Sequence, residues 1–194
     1  NMEDLFLQRY VTNRLQTFGY ESHAMNAARN LHKKPARPQG PMIVCVDLSG
    51  SMMGEPCQVA LSLMMQLCEL CMQKHRRCFL IAFSVAAQPI DVLTDRTQLL
   101  QFFNRKASGS TDAHHMMNTM FQLLKSNAQY AGADVLWVTD FRIPLPEREY
   151  FIEMERLQQQ DGTRFYGLQL GIAENRWASH FDELFKIEDV KMLA

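Results

Sequence analysis

Three oxygen-bearing side chains alternate within the stretch VCVDLSGSM, which covers residues 44–52. They are Asp47, Ser49 and Ser51, and they follow an apolar run that is typical of a buried strand. If the turn curls around one point, all three oxygens face that point, and hard oxygen donors of this kind suit a cation such as Mg²⁺. The same side chains could instead cap the helix that follows, which is the usual role of Asp and Ser in a lone turn.

Two further segments carry polar side chains that we expect at the same place. Thr111 lies in the turn GSTD before a predicted helix, and Asp140 ends an apolar run over residues 133–139. Ligands of parallel α/β sheets bind beyond the carboxyl ends of the strands, so these residues should meet the turn that follows Asp47. Helix capping alone explains such convergence poorly. The pattern therefore predicts a cation site formed by Asp47, Ser49, Ser51, Thr111 and Asp140.

The predicted donors decide the chemistry of this site. Two carboxylates and three hydroxyls carry less charge than a dedicated calcium cage, so the ion should be small and divalent and should keep water and an open position. Mg²⁺ fits this description, and Mn²⁺ or Ca²⁺ could occupy the same place. A carboxylate from another protein can fill the open position, which would make the site a metal-bridged docking point.

Strand and helix patterns alternate along the main part of the chain. The alternation predicts the α/β class, with right-handed crossovers, a mostly parallel sheet and helices on both faces. Pro89 places one strand at an edge of the sheet, because proline cannot donate a ladder hydrogen bond. Strands are predicted over residues 42–46, 78–85, 86–92, 133–139, 164–170 and 185–187, and helices over 57–73, 94–104, 113–126, 146–159 and 177–184.

Composition and charge limit the classes of protein to which the chain can belong. The 194 residues are 47% hydrophobic, which is enough for one sizeable core, and a net charge of -1 argues against a nucleic-acid binder. No apolar run in the sequence is long enough to span a bilayer. We expect an N-terminal helical segment over residues 1–31 that is the end of a larger region, a proline-rich linker over 32–41, and the main domain over 42–194.

Five cysteines fall within residues 45–78. Their odd number and apolar surroundings are typical of buried thiols in a reducing compartment, so we expect a cytoplasmic protein. Cys68, Cys71, His75 and Cys78 have a spacing that also occurs in zinc sites. The helix predicted to carry the first three is apolar almost throughout, which favours buried thiols over zinc.

The motif residues carry a family resemblance. DLSGSM at residues 47–52, GSTD at 109–112 and VTD at 138–140 resemble the metal-ion-dependent adhesion site of von Willebrand factor A domains. The resemblance covers roughly residues 41–190. It implies a three-layer, Rossmann-like fold with helices on both faces of a central sheet that is mostly parallel and has one antiparallel edge strand.

The resemblance also implies a role for each motif residue. Ser49, Ser51 and Thr111 would ligate the ion. Asp47 would bind it directly or through water, and Asp140 would act through water. Sites of this kind bind partner proteins, so the resemblance implies an interaction module without catalytic residues.

Part of the chain is similar to a bacterial subfamily. PMIVCVD at residues 41–47, RRC at 76–78 and the predicted helix at 5–15 resemble ViaA-like proteins. That resemblance implies an adaptor or regulator of a MoxR-type AAA+ ATPase, and this partner would supply the carboxylate. The residues predicted to contact the partner flank the motif and are Met52, Met53, Phe141, Arg142 and His114.

Two other functions stay open. A magnesium-dependent hydrolase or phosphatase would use the open position to activate water, although no general base is evident. The sequence contains neither a phosphate-binding loop with Gly-Lys-Ser/Thr nor a Gly-x-Ser-x-Gly nucleophile elbow. Alternatively, the domain is purely structural, with its site empty or bound to the N-terminal region of the same chain.

Overall fold

The structure is a computed structural model and describes residues 40–84, 87–104, 107–126 and 130–188. The chain divides into two units, Asn1–Gln39 and Gly40–Ala194, and the described residues all belong to the second. The helical segment predicted over residues 1–31 lies outside the described residues, as does most of the predicted linker.

One sheet organises the described residues. Its strands are β1 (Met42–Asp47), β2 (Cys78–Phe83), β3 (Ala87–Asp91), β4 (Asp134–Thr139), β5 (Arg164–Leu170) and β6 (Glu183–Ile187). They lie in the order β3-β2-β1-β4-β5-β6, and all neighbours are parallel except β2 and β3. Pro89 lies in the edge strand β3, where proline is tolerated. The predicted α/β class and the single antiparallel edge strand are therefore confirmed.

Helices precede and follow the strands. They are α1 (Glu55–Gln73), α2 (Arg96–Phe103), α3 (Ala113–Ser126) and α4 (Arg148–Arg156), with short 3₁₀ helices at Gly50–Met52 and Ala178–His180. α4 continues into a π-helical turn, Leu157–Asp161, which ends at Gly162 in the left-handed conformation (φ 68°). Within the described residues, no helix combines the length and the apolar character that crossing a membrane requires.

The end of the domain differs from the prediction of a helix over residues 177–184. Only Ala178–His180 is helical there, and β6 begins at Glu183. Asp182 joins the chain to the sheet, because its N–H donates to the Phe165 carbonyl (2.8 Å) and its carboxylate accepts from the Phe165 N–H (2.7 Å). These bonds align β6 with β5 and leave no room for a second helical turn.

β1 and β4 lie side by side in the centre of the sheet and are buried along their whole lengths. Strands covered on both faces have continuous apolar runs, as these two do. On one face, Trp137 of β4 packs against Trp177, with ring centroids 5.2 Å apart, and against Phe181, at 5.4 Å. The parallel pairing of β1 with β4 places their carboxyl ends next to each other, and this packing covers one face of β4.

A buried salt-bridge cluster lies at the opposite, amino edge of the sheet. Asp134, the first residue of β4, accepts from Nη2 of Arg76 at 2.6 Å and pairs with Nη2 of Arg164 at 2.6 Å. Nε of Arg76 donates to the Gly40 carbonyl at 2.7 Å. The cluster thus joins the starts of β4 and β5 to the segments that lead into β1 and β2.

Candidate metal site

The turn after β1 folds around the carboxylate with which the strand ends. Asp47 is fully buried, and its Oδ1 accepts a hydrogen bond from the Ser49 N–H at 2.8 Å. The hydroxyl oxygens of Ser49 and Ser51 lie 3.2 Å apart. The structure therefore brings together the oxygens of the first predicted segment, with both serine hydroxyls on the same side of the turn.

Thr139, the last residue of β4, holds the other oxygen of Asp47. Its hydroxyl donates to Oδ2 of Asp47 at 2.6 Å, and the same hydroxyl oxygen accepts from the Phe141 N–H at 3.0 Å. Thr139 is fully buried. Thr139 is not among the site residues predicted from the sequence, although a hydroxyl at the end of an otherwise apolar strand, directly before Asp140, is a visible signal.

Asp140 follows β4 and is also buried. Its Oδ1 accepts from the Arg142 N–H at 3.0 Å, and its Oδ2 lies 3.7 Å from Nε of Arg142. Between them, Phe141 has a left-handed backbone (φ 57°), which costs energy for a residue with a side chain. A residue with a bulky side chain thus occupies a strained position beside the predicted ligand Asp140.

The segment that carries Thr111 is attached to the same edge by three backbone hydrogen bonds. The Gly50 N–H donates to the Gly109 carbonyl, the Ser108 N–H to the Leu48 carbonyl and the Asp112 N–H to the Ser84 carbonyl, each at 2.8 Å. Thr111 is half-buried between these contacts.

A glycine is favoured at position 50 because a Cβ there would lie 3.1 Å from the Gly109 carbonyl oxygen. The close approach of the two backbones thus depends on the small residue in the middle of the turn. Segments after β1 and before α3 therefore meet at one edge, as the sequence predicts for parallel strands.

The electrostatics of the site fit a cation. Burial raises the pKa of Asp47, while hydrogen bonds from Thr139 and Ser49 lower it and the charge of Asp140 raises it further. Within the described residues, no salt bridge involves Asp47, and that of Asp140 is with the exposed Arg142. Buried carboxylates favour a compensating positive charge, and carboxylate and hydroxyl oxygens are the donors that Mg²⁺ prefers. The donor set and its surroundings thus fit the predicted ion.

Two of the predicted partner contacts need correction. The side chains of Met52 and Phe141 are buried in the core, so neither is available to a partner. The ring of Phe141 packs against Phe181, with centroids 5.5 Å apart. The sequence prediction failed because the direction of a side chain in a turn depends on the packing around it.

The other three predicted contacts are exposed. Met53 and Arg142 extend into solvent beside the turns that carry them. His114, at the start of α3, is half-exposed, and its Nε2 lies 2.8 Å from Oε2 of Glu147. These side chains lie in the loops and the helix start that border the candidate site.

The cysteines do not form a zinc site. Cys68, Cys71 and Cys78 are buried free thiols, whereas His75 is exposed. Burial raises the pKa of Cys68 to about 12, so its thiolate is disfavoured. Among the described residues, no group of three or more His, Cys, Asp or Glu side chains is arranged to hold a metal ion. The interpretation as buried thiols is therefore the one that the structure supports.

Comparison with known sequences shows which proteins the domain is similar to. The profile of the von Willebrand factor type A domain matches residues 42–142. Regulatory protein ViaA of Edwardsiella ictaluri (strain 93-146) is 30% identical over 173 residues, which cover 85% of this chain and 35% of that protein. The chain thus spans about a third of the length of this curated relative.

Solved structures share the fold at low identity. A von Willebrand factor type A structure from Catenulispora acidiphila has a TM-score of 0.56 and 12% identity, covering 80% of this chain and 40% of that chain. Proximal thread matrix protein 1 from the mussel byssus has a TM-score of 0.58 and 12% identity, and the match covers 80% of this chain and 45% of that chain. These likenesses concern the fold alone. Because the profile match covers more than half of the chain, the chain belongs to the von Willebrand factor type A domain family.

Proposed function

We propose that this domain is a metal-dependent protein-interaction module that binds an acidic residue of a partner protein. The observation that carries the proposal is the pair of buried carboxylates, Asp47 and Asp140, at the ends of the neighbouring strands β1 and β4. Burial raises the pKa of Asp47 and the charge of Asp140 adds to that rise, because two negative charges close together repel each other. A divalent cation between them would remove this repulsion.

The proposed ion is Mg²⁺, with Mn²⁺ or Ca²⁺ as alternatives in the same site. When bound, the ion supplies positive charge and an open position for an incoming carboxylate. The residues proposed to hold it are Asp47, Ser49, Ser51, Thr111 and Asp140. The Ser49 N–H and the Thr139 hydroxyl each occupy one oxygen of Asp47, so this carboxylate is oriented before any ion binds.

The proposed role is that of a regulator or adaptor. The 30% identical relative is named a regulatory protein, and this supports a regulatory role rather than an enzymatic one. We propose a MoxR-type AAA+ ATPase as the partner, because the resemblance to ViaA-like proteins implies it. The ATPase would present the carboxylate that completes the coordination of the ion, and the site of this chain would act by binding alone.

The test is capture of the purified cognate ATPase on the immobilised 194-residue chain, in Mg²⁺ and in EDTA. We expect capture in Mg²⁺ only, and loss of capture in Thr111→Ala, which removes one proposed ligand. Thr119→Ala is the matched control, because the Thr119 hydroxyl bonds within its own helix to the His115 carbonyl at 2.9 Å. Titration calorimetry with Mg²⁺ measures metal binding by the same variants.

Three outcomes would contradict parts of the proposal. Equal capture in EDTA and in Thr111→Ala would exclude a metal bridge. Turnover of a phosphate ester by the wild-type chain, lost in a folded Asp47→Ala variant, would indicate a hydrolase. Absence of Mg²⁺ binding in the titration would indicate a structural domain.

A further inference from the structure

The loops that follow β1, β4 and β5 each present an exposed aliphatic side chain. Met53 is 62% exposed, Leu145 is 39% exposed and Ile172 is 82% exposed. These three strands are adjacent and parallel, so their carboxyl ends lie at one edge of the sheet and span about 10 Å. The three side chains therefore border the edge at which Asp47 and Asp140 lie.

The loop that carries Ile172 is tightly hydrogen-bonded. The buried side chain of Gln169 donates to the Ala173 carbonyl at 2.6 Å and accepts from Nδ2 of Asn175 at 3.1 Å. Oδ1 of Asn175 then accepts from the Trp177 N–H at 2.9 Å. The exposure of Ile172 is thus fixed by the hydrogen bonds of the loop below it.

The loops after β4 and β5 are also joined to each other. Nε1 of the buried Trp177 donates to the Ile143 carbonyl at 3.0 Å. Leu145 and Ile172 consequently lie on two loops whose bases are held together. An aliphatic surface of fixed geometry is what a binding site needs, because little order must be imposed when a partner binds.

Positive charge lies at the same edge. The side chain of Arg142 is 65% exposed, and its Nε lies 3.7 Å from Oδ2 of Asp140 in the candidate metal site. A carboxylate with apolar side chains next to it would complement this exposed guanidinium, the proposed cation and the aliphatic side chains together. Neither an entirely apolar segment nor a strongly acidic, polar one would satisfy both features.

We propose that the metal site and its aliphatic border form one docking surface, lined by Met53, Arg142, Leu145 and Ile172. Its occupant is a segment of a partner protein in which a carboxylate is flanked by aliphatic side chains. The contact of the carboxylate rests on the function proposed above, whereas the aliphatic contacts rest on the exposure and rigidity of the loops.

The test compares two short peptides that differ only beside a central aspartate, with leucines on both sides in one and serines in the other. The protein is the whole 194-residue chain, labelled with ¹³C at the Ile, Leu and Met methyl groups and observed by NMR in Mg²⁺ and in EDTA. We expect the leucine peptide to bind about tenfold more tightly in Mg²⁺ and to shift the Ile172 methyl signals.

Ile152 provides the matched control, because it is 52% exposed but lies on α4, away from the strand ends. We expect Ile172→Ser to remove the preference for the leucine peptide without changing the affinity for the serine peptide. Ile152→Ser should leave both affinities unchanged, and the Ile152 signals should not respond to either peptide.

The possible results separate this inference from the proposed function. Equal, Mg²⁺-dependent affinity for both peptides would overturn the aliphatic border and leave the metal bridge intact. Absence of Mg²⁺-dependent binding to either peptide would contradict the metal bridge and this docking surface together. Concentration-dependent shifts of the Ile172 signals without peptide, with dimers in sedimentation, would assign the surface to a second copy of the chain and overturn the inference.

Discussion

The hydroxyl of Thr139 lies 2.6 Å from Oδ2 of Asp47 and joins the ends of two neighbouring strands. The same hydroxyl oxygen accepts from the N–H of Phe141, the residue after Asp140. One buried side chain thereby couples the orientation of the first carboxylate to the backbone that positions the second. This coupling is within the protein itself and needs no bound ligand.

Replacement of Thr139 tests this coupling. Thr139→Val keeps the shape but leaves Oδ2 of Asp47 and the Phe141 N–H without their partner. We expect the free energy of unfolding to fall by about 1–3 kcal/mol and the Mg²⁺ affinity to fall about tenfold. Urea unfolding and titration calorimetry measure the two quantities.

Thr163→Val is the control for this experiment. Thr163 is buried, and its hydroxyl has no hydrogen-bond partner among the described residues. Removing that hydroxyl should leave stability unchanged or increase it, and should leave Mg²⁺ affinity unchanged. An equal loss of stability and affinity in both valine variants would show that the contact between Thr139 and Asp47 has no special role.

Arg142 should oppose metal binding while favouring the partner. Its Nε lies 3.7 Å from Oδ2 of Asp140, so its charge competes with a cation for that carboxylate. We expect Arg142→Gln to bind Mg²⁺ up to about fivefold more tightly at low salt, and the aspartate peptides more weakly. Titration calorimetry at two salt concentrations, with the exposed Arg148→Gln as control, measures this effect. Weaker Mg²⁺ binding in Arg142→Gln would contradict it.

The salt-bridge cluster at the amino edge should affect stability alone. Asp134→Asn leaves the buried guanidinium of Arg76 without a counter-charge, and we expect a loss of about 3–5 kcal/mol in the free energy of unfolding. Mg²⁺ affinity should not change, because Asp134 lies at the amino end of β4 and Asp140 lies just past its carboxyl end, at the opposite edge of the sheet. Urea unfolding and calorimetry on the folded variant give both values. A large loss of Mg²⁺ affinity would mean that the two edges of the sheet are coupled.

Glu153 should make the free energy of unfolding depend on pH. Its hydrogen bond with Arg156 and its contact with Lys125 (2.9 Å) lower its pKa from 4.5 to about 2. The native state thus favours the carboxylate, so its contribution is present above the unfolded pKa and is lost as the pH falls towards 2.

The variant Glu153→Gln measures that contribution. We expect it to cost about 1 kcal/mol of unfolding free energy at pH 7 and progressively less between about pH 5 and pH 2.5. Glu155→Gln, on the same helix but exposed, should show no such trend. Urea unfolding across this pH range measures the difference in unfolding free energy between each variant and the wild type. A difference for Glu153→Gln that is independent of pH would rule out the ion pairs as its source.

Local sequence patterns were sufficient for the order of the elements. The apolar run at 42–46 and the helical spacing of apolar residues over 113–126 predict a strand and a helix, and both are present. They are local signals, because burial on both faces demands a continuous run and burial on one face demands a helical stripe. The helix predicted over 177–184 is reduced to the short 3₁₀ helix Ala178–His180, because hydrogen bonds of Asp182 with β5 outweigh the local pattern.

The sequence by itself determined that Asp47 and Asp140 end two strands and that hydroxyls follow the first. Whether those strands are neighbours is decided only by the sheet, in which β4 pairs with β1. The tertiary structure also buried Met52 and Phe141 and joined Thr139 to the Asp47 carboxylate and to the Phe141 N–H. The physical reason is that chain periodicity is a local property, whereas side-chain direction and hydrogen-bond partners depend on segments far apart in sequence.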